Sequence, residues 1–193
     1  MIMNETIAGI YAELGIPQEY QSVSLNAIAQ TESRFLKDLK LNVSGVLKSA
    51  HFSKKETALL ALSVAVNQKH KVLVQAFTEM AATEGATADE IGEIHACTSL
   101  MSANNVLYRF RHWLPENTYY NNTPAGIRMS IMMNPVLGKE FFELVSLAIS
   151  ALNGCEMCVT SHESSVKNHG GTEARIYDAI RIAAVIKSLS TVL

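Results

Sequence analysis

At 193 residues the chain can close one ordinary domain around its own core, with no need of covalent staples. Charged residues make up only 18% against 48% hydrophobic, short of the roughly 25% charged that soluble domains carry, which predicts association through apolar helix faces. A net charge of -2, with Lys and Arg scattered along the chain, excludes a surface built for nucleic acid, and no apolar run approaches a membrane span. The opening Met-Ile-Met-Asn-Glu-Thr lacks the positive and apolar regions of a secretory signal, so a cytoplasmic protein is expected. In that reducing setting three cysteines form no structural framework, and a Cys-x-x-Cys there is a metal or a redox device.

Apolar residues recur at spacings of three and four rather than two, which predicts an all-α protein. Ser53-Lys-Lys-Glu56 reads as a capping box opening a helix to about Asn67, and Thr87-Ala-Asp-Glu90 opens another reaching Arg111. Gly85 closes the helix between them. Cys97 falls among Ile94, Leu100 and Met101 at helical spacing and reads as a small buried hydrophobe. Pro115 to Pro124 reads as a long polar loop. The cluster Met129, Met132 and Met133 fits core filling better than a substrate path. Asn134-Pro135 is expected to cap and start a helix whose stretch Glu140 to Leu152 is apolar almost all round. Asn153-Gly154 breaks it, a helix follows from Cys155 to His169 and ends at Gly170-Gly171, and Thr172 caps a last one through Ala184 to Leu189.

The pattern helix, Asn67, helix, Gly85, helix recurs as helix, Asn153, helix, Gly171, helix at an offset of 86 residues. A single domain built from two degenerate repeats, about 50–113 and 134–193, is therefore expected. On that register Lys69, Val72 and Ala76 stand where the second copy has Cys155, Cys158 and His162, so only the second copy carries chemistry.

Cys155, Cys158 and His162 fall at spacings of three and four, on one helical face. A pair of thiols at i and i+3 in a first turn can close a disulfide, and the positive helix end favours thiolate. Gly154 lets the loop turn sharply, so the sulfurs are expected at an exposed end. Glu143 lies among Phe141, Phe142, Leu144 and Val145, where a carboxylate needs a partner. If the two helices pair antiparallel, His162 is that partner, and a carboxylate holding a histidine that draws a proton from Cys158 is the relay that activates a weak thiol. Neither His51, His70, His95 nor His112 has such company.

Glu143, Cys155-x-x-Cys158 and His162, with the run Ala151-Leu-Asn-Gly-Cys-Glu-Met-Cys-Val-Thr-Ser-His-Glu163, resemble the alkyl hydroperoxide reductase D (AhpD) family of the carboxymuconolactone decarboxylase-like superfamily. The resemblance is close in the C-terminal half and degenerate in the N-terminal half. It implies an all-helical repeat fold, a homotrimer or larger ring, and an antioxidant peroxidase of alkyl hydroperoxides that also reduces an AhpC-type peroxiredoxin. It further implies that Cys158 is the peroxidatic thiol and Cys155 the proton donor and disulfide partner, with Glu143 and His162 as the relay. A lipoyl group on a carrier protein, or another dithiol, would be the external reductant, with no bound cofactor. The sequence departs from well-studied members at Met157, where they carry a histidine, and Glu156 beside it opposes thiolate formation.

Cys-x-x-Cys with a histidine also offers three zinc ligands, but no convincing fourth is present. No strand precedes the motif, as a thioredoxin fold requires. The competing functional reading is a non-catalytic redox sensor, or a protein-disulfide reductase, on a helical oligomeric scaffold. Lactone decarboxylation does not use this dithiol.

Overall fold

The computed structural model describes residues 4–193. Among the described residues there are ten α-helices, one 3-10 turn and no strand, the all-α class expected. In chain order they are α1 (Glu5–Leu14), α2 (Val23–Gln30), α3 (Arg34–Leu47), α4 (Lys54–Asn67), α5 (Lys71–Thr83), α6 (Ala88–Trp113), α7 (Thr118–Asn122), α8 (Lys139–Leu152), α9 (Glu156–Asn168) and α10 (Glu173–Val192). None of these helices is long and apolar enough to cross a membrane.

Two helical hairpins, α4 with α5 and α8 with α9, form the centre. The first helix of each is buried on every side, from Thr57 to Ala65 in α4 and from Phe141 to Ser150 in α8. Such all-round burial requires neighbours on every face. Helix α10 packs on α3, α4 and α8, and α6 on α4, α8 and α9. Each fully buried Leu or Phe, such as Leu60, Leu62, Phe77 and Phe142, contributes about 1.5–3 kcal/mol to this core. Both expected capping boxes form, at Ser53 with Glu56 and at Thr87 with Glu90, and Thr172 caps α10 by accepting from the Arg175 amide.

Arg175 ties three layers together from α10. It donates to Glu140 on α8, to Glu56 on α4 and to the His51 carbonyl, with its guanidinium 4.3 Å from the centre of the Phe52 ring. Gly171 lies at a close approach, since a Cβ there would meet Val166 Cγ1 at 2.3 Å and Glu140 Oε1 at 2.9 Å.

Three sequence expectations need correcting. Helix α8 starts at Lys139, with Gly138 at its N-cap, not at Asn134-Pro135. The reason is long-range: buried Glu93 on α6 accepts from the Val136 and Leu137 amides, holding this segment as a turn. The loop after Pro115 contains α7, capped by Asn117 and held by Asn121, whose amide donates to the Leu114 and Pro115 carbonyls. Finally, α4, α5 and α6 begin at Lys54, Lys71 and Ala88, and α8, α9 and α10 at Lys139, Glu156 and Glu173, a constant separation of 85 residues rather than 86. The left-handed residues agree, Lys69 (φ 56°) with Gly154 (φ 69°) and Gly85 (φ 85°) with Gly170 (φ 92°). Asn67 and Asn153, which match as letters at an offset of 86, touch: Asn67 Nδ2 donates to Asn153 Oδ1 at 3.1 Å.

Candidate active site

The α8–α9 turn places the four expected residues together. Cys155 is the N-cap of α9, its amide donating to the Ser150 carbonyl, and Cys158 follows in the first turn. The two sulfurs are joined at 2.08 Å. No side chain caps α9, so its first amides and positive dipole end face the sulfurs' end of the helix. One turn on, His162 Nδ1 lies 2.6 Å from Glu143 Oε2 across the hairpin. The antiparallel pairing thus unites residues 19 positions apart.

Glu143 is 4% exposed. Burial pushes its carboxyl upward, but the His162 hydrogen bond and the charges of His162 and Lys139 outweigh this and hold it below the ordinary carboxylate range. Lys139 Nζ is 3.7 Å from Glu143 Oε1 and also donates to the Met132 carbonyl, linking the carboxylate to the loop beside the site.

The sulfurs are not at an exposed end. Cys155 is fully buried and Cys158 is 6% exposed, because α6 lies over α9. Cys158 and His162 line a cavity of about 290 Å³, and Cys155 does not. Its other walls include Asn104 and Tyr108 from α6, and Met129 and Met132 from the loop before α8. Those two methionines thus line a cavity instead of only filling core, while Met133 is exposed. Glu156 points to solvent, where its carboxylate is 3.4 Å from His112. Cys97 is buried as expected, 3.4 Å from Ser146 Oγ, and burial pushes its thiol up to about 12.

A polar chain braces the turn. Arg109 donates to the Asn153 carbonyl, Asn153 Nδ2 donates to Asn105 Oδ1, and Asn105 Nδ2 donates to Ser150 Oγ. Sequence reasoning missed Asn104, Asn105, Arg109 and Lys139. The one signal available was Asn104-Asn105 in mid-helix, where neither amide side chain favours the helix. Among the described residues, no group of three or more His, Cys, Asp or Glu is placed to hold a metal ion.

The model of the carboxymuconolactone decarboxylase family matches residues 120–191, which contain α8 and α9. Three relatives each bear the name alkyl hydroperoxide reductase AhpD. That of Maricaulis maris (strain MCS10) is 37% identical over 174 residues, 89% of this chain and 98% of that protein. That of Rhizorhabdus wittichii (strain DSM 6014) is 36% identical over 170 residues, 88% of this chain and 97% of that protein. That of Coxiella burnetii (strain Dugway 5J108-111) is 37% identical over 161 residues, 82% of this chain and 90% of that protein. Similarity of this extent along nearly the whole of each relative leaves one conclusion: the chain belongs to the alkyl hydroperoxide reductase AhpD family.

Proposed function

We propose that the protein is a dithiol-dependent alkyl hydroperoxide reductase with Cys158 as its peroxidatic thiol. The observation that carries this reading is the shared cavity wall of Cys158 and His162, with His162 braced by Glu143 at 2.6 Å. With Nδ1 engaged by the carboxylate, His162 has Nε2 left to take the Cys158 proton. The thiolate attacks the terminal oxygen of the hydroperoxide, a sulfur–oxygen bond forms, and the oxygen–oxygen bond breaks. The alkoxide leaves as alcohol with the proton held by His162. The Cys155 thiol then attacks the sulfenic sulfur, water departs, and the disulfide closes. An external dithiol, such as a lipoyl group on a carrier protein, returns both thiols and is itself oxidised to a disulfide. The same exchange serves reduction of an AhpC-type peroxiredoxin disulfide.

The reading includes a reducing, cytoplasmic setting and a homotrimer or larger ring. Exposed Val106, Phe110 and Trp113 on α6 and Tyr119 on α7 offer the apolar surface for assembly.

Peroxide consumption with dihydrolipoamide as donor tests the assignment. Wild-type protein turns over, Cys158→Ser consumes nothing, and Cys155→Ser forms one sulfenic acid per chain without turnover. Glu143→Gln slows the first step, within the roughly 10²-fold or greater contribution of a positioned acid–base group. Disulfide formation without turnover in the wild type supports a sensor instead. A sulfenic acid trap that labels Cys155 in Cys158→Ser, and nothing in Cys155→Ser, reverses the two roles.

A further inference from the structure

Asn104 is 5% exposed on α6 and has one satisfied end: its Nδ2 lies 3.2 Å from Met129 Sδ. Its Oδ1 has no hydrogen-bond partner, the one buried side-chain nitrogen or oxygen so placed among the described residues. A buried acceptor without a donor loses the free energy of its bond to water, which is why native proteins keep few of them. This one sits on a side chain in the wall of the cavity that also holds Cys158 and His162. The neighbouring wall, Met129 and Met132, is apolar and polarizable, suited to a hydrocarbon group of variable shape.

We infer that Asn104 is the substrate's hydrogen-bond acceptor: Oδ1 receives the terminal O–H of an organic hydroperoxide, while Met129 and Met132 take its alkyl group. This rests on the peroxidase reading above. The chemistry of the step favours an acceptor there. The attacked oxygen is the one that bears hydrogen, and it keeps that hydrogen when it becomes the sulfenic hydroxyl. A bond from this O–H to Asn104 therefore persists while the sulfur–oxygen bond forms and the oxygen–oxygen bond breaks. The electron pair leaves with the alkoxide, which takes its proton from His162. Asn104 thus orients the terminal oxygen towards Cys158 and exchanges no proton.

The test uses reduced full-length protein in single turnover, wild type against Asn104→Leu, a variant of similar shape without an acceptor. Three reagents are compared: tert-butyl hydroperoxide, hydrogen peroxide and iodoacetamide, the last reporting Cys158 thiolate without presenting an O–H. Both peroxide rates are expected to fall about tenfold, as for loss of one hydrogen bond, with alkylation unchanged. Unchanged peroxide rates overturn the inference, and so does a parallel fall in alkylation, which would mean that Asn104 acts on the thiol. Should Asn104→Leu not fold, Asn104→Ala is put through the same three-reagent comparison. A wild type inert to both peroxides removes the peroxidase reading itself, and this arm is read before any variant is made.

Discussion

The two central hairpins have one backbone plan and opposite contents. Helices α4 and α8 each span 14 residues, α5 and α9 each span 13, and a left-handed residue, Lys69 or Gly154, stands in each connection. At the separation of 85 residues, Ala58, Leu73 and Phe77 occupy the places of Glu143, Cys158 and His162. All six are buried. The first hairpin fills these places with hydrocarbon. In the second, acid and imidazole satisfy each other and the sulfur borders a cavity. The lesson is that the same backbone plan accepts either an all-apolar filling or a buried polar pair that satisfies itself, so the fold does not require Glu143 and His162 at these places.

Making the second hairpin like the first sharpens that contrast most. Glu143→Ala or His162→Phe alone leaves the other partner buried without its bond, at a cost on the order of 3 kcal/mol. The double variant is expected to recover most of this loss while remaining inactive, as read from denaturant unfolding of all four proteins. Additive losses would break the comparison, since the pair would then not be the reason that either residue is tolerated.

Acid provides the second, smaller probe, because each hairpin contains one depressed carboxyl. For Glu56, burial acts upward but the Arg175 hydrogen bond and the Ser53 cap outweigh it, as His162 and Lys139 do for Glu143. A carboxyl held below its unfolded value of 4.5 contributes stability that is present above that pH. The contribution disappears as pH falls through the folded value. Unfolding midpoints should therefore drop below pH 4.5, and Glu56→Gln or Glu143→Gln should each make that drop shallower. A slope identical to wild type in both would contradict the assignment.

The turns carry the smallest effect. No atom lies within 4 Å of a Cβ built on Gly154, so Gly154→Ala costs only left-handed backbone strain, about 1 kcal/mol. Lys69→Gly in the first hairpin should gain a similar or smaller amount. Thermal midpoints that move in the same direction for both would show that the two turns are not alike.

Much of this organisation was legible in the sequence. Capping at Ser53, Thr87 and Thr172 is local chemistry, and the spacing of Cys155, Cys158 and His162 fixes their face of the helix before any tertiary contact. Glu143 stood out because a carboxylate in an apolar run needs a partner. What could not be read depends on helices distant in sequence. Glu93 overrides the Asn134-Pro135 start signal from 43 residues away, α6 covers the sulfurs, and Asn104 joins the cavity wall from α6, whose capping box says nothing about the site. The offset of 86 follows the letter identity of Asn67 and Asn153, two residues that touch, whereas equivalence of backbone follows the left-handed turn residues at 85.

The complete burial of Cys155 reaches into steady-state kinetics. Of the two sulfurs only Cys158 borders the cavity, so on the peroxidase reading proposed above oxidant and reductant would meet the same atom at different stages of the cycle. A thiol that reopens the disulfide must attack Cys158 and expel Cys155 as the leaving group, inward and away from solvent. On that reading ping-pong kinetics are expected, with each substrate competing against the other for the form of the enzyme it does not use. Excess reductant would then slow the peroxide step by occupying its entrance.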